Sequence, residues 1–311
     1  MEYYFQRYGD LELHRRMVGD RARTEAFARA IAEVVRPGDR VIDVGTGTGI
    51  LAMLAAKAGA ERVVGIDQAA ITQAAADLVD HNGLGDRVQI LRGEASSLVI
   101  DEPIDVIISE WLGSFALVEG MLDDLIVCRD LNLGPTGRML PARVRLLLAA
   151  VDDPVLYARE GPGFWREPIQ GLDFAPLEAV ELAQGRAVQL RLDPAALISA
   201  PASLFDLELR TVRATDPYRA GKLSLVARRD GVLNGFAGWF QAELSPSVLL
   251  DTGPDHPETH WAQSYLAFPP RPVRAGERIE VDYTLSRDRA ERRAVRLSLR
   301  TFEHEQRYLL E

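Results

Sequence analysis

Arg40-Val-Ile-Asp-Val-Gly45-Thr-Gly47-Thr-Gly49 runs a short apolar, β-branched stretch into three glycines at alternate positions. Directly behind it comes Ile50-Leu-Ala-Met-Leu-Ala-Ala-Lys-Ala58, a run of strong helix formers. Such glycines let a buried strand turn sharply into a helix and let a ligand approach the backbone closely. The dinucleotide fingerprint asks for Gly-x-Gly-x-x-Gly or Ala, whereas here the last small position is Ile50. The spacing disfavours NAD or FAD and fits S-adenosylmethionine, which has no pyrophosphate to cradle. Asp67, closing the next apolar run, is placed to accept hydrogen bonds from both ribose hydroxyls.

The same alternation continues along the first half. Residues 10–35 read as helical, with Phe27, Ile31, Val34 and Val35 on one stripe, stopped by Pro37-Gly38. Strands are expected at 40–45, 62–67, 88–91 and 104–109, and helices at 48–58 and 71–81. Strands alternating with helices specify a doubly wound, Rossmann-like parallel sheet. Ligands of such sheets sit beyond the carboxyl ends of the strands. Asp43, Gly45 and Gly47, then Asp67, then Glu110 fall at or just past three such ends.

After Leu140-Pro141 the pattern changes to runs that alternate apolar and polar residues, as half-buried antiparallel strands do. They lie at 144–151, 187–192, 203–209, 222–227, 232–244, 265–268, 278–285 and 294–301. An antiparallel β barrel or sandwich is expected from 143 onward, with residues 161–184 as an excursion. Two domains follow, 1–142 and 143–311, in keeping with a length of 311 residues.

Lys+Arg 36 against Asp+Glu 46 leaves a net charge of −10. That balance argues against nucleic acid and anionic membranes as partners and suits a cationic substrate. The lone Cys128 excludes an internal disulfide and a thiolate zinc site. No metal site is expected. Without a signal-like or membrane-spanning apolar run, a reducing cytoplasm is the expected compartment.

Ser109-Glu-Trp-Leu-Gly-Ser-Phe-Ala-Leu-Val-Glu119 sets two carboxylates nine residues apart in an otherwise apolar or small segment. Buried acids are costly unless a positive group meets them. A guanidinium, planar and charged, matches carboxylates bidentately. Two carboxylates on different guanidinium edges would hold its charge away from one nitrogen and aim that nitrogen at a sulfonium methyl. His260, within Thr259-His-Trp261, with Asp20 near the N-terminus, is the candidate for orienting the site or accepting the released proton.

With these residues assembled, the chain resembles the protein arginine methyltransferases from Tyr3 to about Phe302. The matching segments are Tyr4-Phe5-Gln-Arg-Tyr8 with His14, Met17, Asp20 and Arg23; the glycine loop; Glu110 through Glu119-Gly-Met121; and Thr252-Gly-Pro with Thr259-His-Trp. The resemblance implies roles. Glu110 and Glu119 would clamp the guanidinium, Arg23 would bind the cofactor carboxylate and help hold the glutamates, and Asp20 would pair with His260. Phe5 would cover the adenosine, and Gln68, Glu94, Ala95 and Ser96 would complete the cofactor site beside Asp67. Tyr8, Met17, Trp111, Met121 and Trp261 would line the acceptor pocket. In the family, methionines at these places with a Thr-His-Trp histidine accompany mono- and asymmetric dimethylation. A dimerisation arm is implied at about 163–198, and with it a homodimer.

Two departures stand out: Ser114 replaces a usual tyrosine and Ser96 a usual adenine-binding glutamate. Serine at 114 and a chain that begins almost at the motif lean toward free arginine or a small guanidine; arginine in a peptide or protein stands level with it. An Ala- and Arg-rich composition points to a bacterial source. The alternative function is methyl transfer by the same fold to another amine or hydroxyl of a small natural product, which would not need both glutamates.

Overall fold

A computed structural model describes residues 11–291 and 293–311. The predicted N-terminal helix is two helices, α1 (Leu11–Gly19) and α2 (Arg21–Val34). Asp20 stands between them in extended backbone and accepts the Arg23 N–H at 3.0 Å, a side-chain N-cap. Then follow β1 (Arg40–Val44), α3 (Ile50–Lys57), β2 (Arg62–Asp67), α4 (Thr72–His81), β3 (Val88–Arg92) and β4 (Ile104–Ser109). Two further elements, α5 (Leu122–Asn132) and β5 (Leu133–Leu140), complete this half. Its five strands pair in parallel in the order β3-β2-β1-β4-β5. That order sets the carboxyl ends of β2, β1 and β4 side by side, and the Ser109 hydroxyl donates to the Val44 carbonyl at 2.8 Å.

The second half opens with β6 (Arg143–Val151) and α6 (Pro154–Glu160), followed by a 3-10 turn at Pro162–Arg166 and α7 (Pro176–Gln184). Strands β7 (Ala187–Leu190), β8 (Ala202–Glu208), β9 (Ala220–Val226), β10 (Gly231–Ser245) and β11 (Val248–Asp251) come next. Last are β12 (Gln263–Val273), β13 (Arg278–Arg287), β14 (Val295–Thr301) and β15 (His304–Leu310). One sheet runs β7-β12-β10-β6-β8, with β11 on β10, and the other β15-β14-β13-β9. Inward residues alternate as expected, with Ile279, Val281, Tyr283 and Leu285 on β13 facing the core.

The excursion read at 161–184 lies between β6 and β7 and overlaps the span of about 163–198 implied as the arm. Strand β7 pairs with β12, and Leu192, Ala196 and Ile198 are buried, so the chain has rejoined the sheet by Ala187. Residues 162–184 carry the protruding part, with Phe164 48%, Leu172 64% and Val180 50% exposed.

The two halves share one contiguous apolar core. Polar ties reinforce it. Glu33 of α2 accepts from Ser245 at 2.6 Å, and Arg129 of α5 donates to the carbonyls of Leu209 (2.8 Å) and Val212 (2.9 Å). The chain from Glu110 to Glu119 is wedged between the halves. Gly113 and Ala116 exchange backbone hydrogen bonds to close a hairpin. Phe115 packs so tightly on Gly238 of β10 that a Cβ there would lie 2.1 Å from its ring. Among the described residues no helix is long and apolar enough to cross a membrane.

Candidate active site

Glu110 lies one residue past β4, and Arg23 reaches it from the first turns of α2. The guanidinium donates from Nε (3.1 Å) and Nη2 (2.7 Å) to Glu110 Oε2, while Oε1 accepts the Leu112 N–H at 3.1 Å. Both side chains are almost enclosed, 6% and 7% exposed. A carboxylate so held has one fixed orientation, and lone pairs remain on it for another donor. The Arg23 backbone caps on Asp20, whose other oxygen accepts from the His260 N–H and meets His260 Nδ1, each at 2.8 Å. One connected network thus brings four predicted residues together: His260, Asp20, Arg23 and Glu110. Burial pushes the Asp20 carboxyl up, but bonds from the His260 ring, the Arg23 and His260 amides and the imidazole charge outweigh it and leave it below its usual value. With Nδ1–H donated to Asp20, the proton-free nitrogen of a neutral ring is Nε2. His260 lines an open cleft of about 1060 Å³ together with Glu12, Arg15, Arg16 and Glu258.

Glu119 closes the other end of the wedged hairpin. Its backbone has φ of +118°, rare for any residue but glycine, and its N–H donates to the Arg293 carbonyl at 3.3 Å. Gly120 and Met121 follow, and Met121 lies over the glycine loop: a Cβ on Gly45 would sit 2.6 Å from its methyl.

Gly45, Gly47 and Gly49 all take positive φ, and the N-terminus of α3 has no side-chain cap. Asp67 accepts the Gly47 N–H at 3.0 Å on one oxygen and the Ala69 N–H at 2.8 Å on the other. These bonds fix the carboxylate beside the loop with lone pairs to spare for a diol. The cradle fits S-adenosylmethionine: Gly45 and Gly47 at positive φ with no room for a side chain, and an acid for ribose. Gln68 follows Asp67, the Gly93 N–H binds the Asp67 carbonyl at 2.9 Å, and Glu94, Ala95 and Ser96 form the next turn, Glu94 exposed and Ala95 buried.

The remaining predicted residues lie around this frame. Asp43 is wholly enclosed, and its Oδ2 accepts from Thr46 Oγ1 at 2.7 Å and the Ala52 N–H at 3.0 Å. Those bonds tie the loop to α3. Burial pushes the Asp43 carboxyl up to about 6, against the pull of those bonds. Trp111 and Trp261 are core side chains, 1% and 3% exposed. Trp261 Nε1 donates to the Leu112 carbonyl at 2.6 Å and its ring packs edge-on to Phe240, bracing the hairpin from below. Met17 is half-buried and accepts a long bond on its carbonyl from Arg23 Nη1, at 3.4 Å. Phe5 and Tyr8 lie outside the described residues.

His14, the buried residue of α1, belongs with the cofactor loop: its ring covers Gly47, 3.1 Å from where a Cβ would be. Among the described residues no cluster of His, Cys, Asp and Glu could hold a metal.

Comparison with known proteins agrees with this geometry. Residues 142–306 match the family described as arginine methyltransferase oligomerization subdomain, and residues 18–125 the family described as ribosomal protein L11 methyltransferase (PrmA). The chain is 34% identical over 285 residues to protein arginine N-methyltransferase 1 of Schizosaccharomyces pombe, covering 89% of this chain and 83% of that protein. It is 33% identical over 274 residues to protein arginine N-methyltransferase 6 of Xenopus laevis, covering 85% and 80%. Among solved structures it is similar to the Trypanosoma brucei PRMT1 enzyme–prozyme heterotetrameric complex with AdoHcy, with TM-score 0.90, 30% identity and 98% and 99% of the two chains covered. Arabidopsis thaliana protein arginine methyltransferase 10 gives TM-score 0.88 and 26% identity over 99% and 100%. A Rossmann-like parallel sheet joined to an antiparallel barrel is the architecture they share. The chain belongs to the protein arginine N-methyltransferase family.

Proposed function

We propose that this protein transfers the methyl group of S-adenosylmethionine to a guanidino nitrogen of arginine, with Glu110 and Glu119 as the clamp. The carrying observation is Glu110, nearly enclosed at a strand end and held by the Arg23 fork. When bound, S-adenosylmethionine supplies an electrophilic methyl on a sulfonium.

Every other part is the chain's own. Arg23 fixes the Glu110 carboxylate, and that carboxylate with Glu119 would grip the incoming guanidinium by different edges. Charge drawn toward the two acids leaves the reacting nitrogen its lone pair and offsets repulsion from the sulfonium. His260 Nε2, its tautomer set by Asp20, is placed to take the released proton. Gly45, Gly47, Asp67, Gln68, Glu94, Ala95 and Ser96 hold the cofactor, with Arg23 beside its carboxylate. Met17 and Met121 shape the acceptor pocket, and the resemblance assigns Phe5 to the cofactor and Tyr8 to the acceptor.

Arginine in a peptide or protein is the acceptor that the names of the relatives favour. Functional division at residue 142, assembly through the arm at 162–184, mono- and asymmetric dimethylation, and a reducing cytoplasm complete the reading. The exposed apolar arm supports a homodimer, and the single buried Cys128 suits the compartment. A bacterial source rests on composition alone, since the relatives named here are eukaryotic.

Methyl-labelled S-adenosylmethionine supplied with an arginine-rich peptide, free L-arginine and a lysine-rich peptide tests this directly. Label in peptidyl arginine is expected. Label confined to free arginine moves the acceptor to a small guanidine, and label in lysine alone overturns the clamp.

A further inference from the structure

We propose that the β13–β14 hairpin positions Glu119, and that Arg287 gripping Asp123 is the handle by which it does so. The inference rests on the reading of Glu119 as half of the clamp.

The need for a handle comes from the backbone. Glu119 adopts φ of +118°, and Gly120 beside it adopts +67°. A non-glycine residue in such a region is strained and persists only where its surroundings hold it. Gly120 adds freedom at the joint into α5, so a loop without external ties would relax and carry the carboxylate away.

The barrel supplies ties on both sides of that joint. Before it, the Glu119 N–H donates to the Arg293 carbonyl in the hairpin turn at 3.3 Å. After it, Asp123 in the first turn of α5 is gripped by both terminal nitrogens of Arg287, with Nη2 to Oδ1 at 2.6 Å. The same Nη2 donates to the Ala214 carbonyl at 2.9 Å, and the guanidinium lies 4.6 Å from the Tyr218 ring centre. A planar fork with three kinds of partner cannot swing, unlike an ammonium on a flexible stem.

The described residues of the hairpin are tied to one another. Asp288 is buried and accepts the N–H groups of Ala290 (2.7 Å) and Glu291 (2.8 Å) on one oxygen and Arg296 on the other. Its own N–H reaches the Ala294 carbonyl at 3.0 Å. Residues more than 160 positions beyond the glutamate therefore set where its carboxylate stands. Arg287 acts through the loop, as a positioning residue.

The test uses the full-length enzyme, S-adenosylmethionine and an arginine peptide, reading kcat, acceptor KM, cofactor Kd and Tm. Arg287→Met should lower kcat about 10- to 100-fold, as a misplacement of about 1 Å does, with cofactor Kd within about threefold. The swap Arg287→Asp with Asp123→Arg should recover most of kcat. A kcat within about twofold of wild type for Arg287→Met overturns the proposal, as does a swap that restores Tm but not kcat. If Arg287→Met does not fold, Asp123→Asn is read by the same limits. Wild-type enzyme that labels no guanidine overturns the clamp reading itself, a result distinct from active variants.

Discussion

Glu110 and Glu119 were visible in the sequence because charged residues inside an apolar run are costly, and the cost demands a partner. The partner of Glu110 was also readable, since Arg23 stood in the matching N-terminal motif. For Asp43 the sequence left the direction of the side chain open. Spacing puts a residue at a strand end but does not say whether its side chain turns toward the ligand or under the loop. Its elevated value near 6 gives a test with a definite sign. A carboxyl raised above its ordinary 3.8 contributes stability that is complete below 3.8 and lost as pH rises through about 6. Between pH 4 and about 6.5, wild-type Tm should therefore fall relative to that of Asp43→Asn, measured by calorimetry. Parallel curves would remove the assignment. Asp20 runs the other way: its lowered value means a contribution present above 3.8 and lost as pH falls below it.

Elements with one clear period were legible, and those with mixed signals were not. Strands β1, β2, β4 and β10 matched their apolar runs. Helices α1 and α2 read as one because the break consists of a single residue, Asp20, whose capping role depends on a bond 3.0 Å long rather than on any turn signature. Strand β5 contains Gly134-Pro135 and Gly137, poor strand formers, yet it pairs in parallel with β4 at the sheet edge, where proline is tolerated. The hairpin from Glu110 to Glu119 depends on a partner far away in sequence, Gly238. Gly238→Ala places a methyl in the Phe115 ring, so overpacking should cost about 1–3 kcal/mol of stability. Because Phe115 lies between the two glutamates, kcat should fall as well. Unchanged Tm and kcat in Gly238→Ala would show that the hairpin yields freely.

At the scale of the molecule, the two halves are bound by a common core and by charged straps, and the arm exposes apolar side chains. Inside the arm, Glu178 accepts from Arg166 Nε at 2.8 Å and Nη2 at 2.6 Å, and from the Tyr157 hydroxyl of α6 at 2.8 Å, while Trp165 donates to Glu181 at 2.5 Å. The arm is thus ordered within one chain and presents Phe164, Leu172 and Val180 outward. Replacing 165–183 by a short Gly/Ser linker should leave a folded monomer of low activity, read by sedimentation and methyl transfer. An unchanged dimer would place the interface elsewhere. The arm was legible as an interruption of strand periodicity at 161–184, the stretch that closes with α7 at Gln184 before β7 pairs with a strand some 75 residues later.

The claim on which all of this turns is that two acids grip the acceptor without gripping the cofactor. Its most direct measurement is single-turnover methyl transfer by Glu110→Gln and Glu119→Gln beside a cofactor titration on the same preparations. The account predicts a fall in turnover of at least about 100-fold for each, with cofactor Kd within about threefold of wild type. Turnover retained within a few-fold in either variant, or a loss of cofactor affinity that accounts for the whole effect, would contradict it.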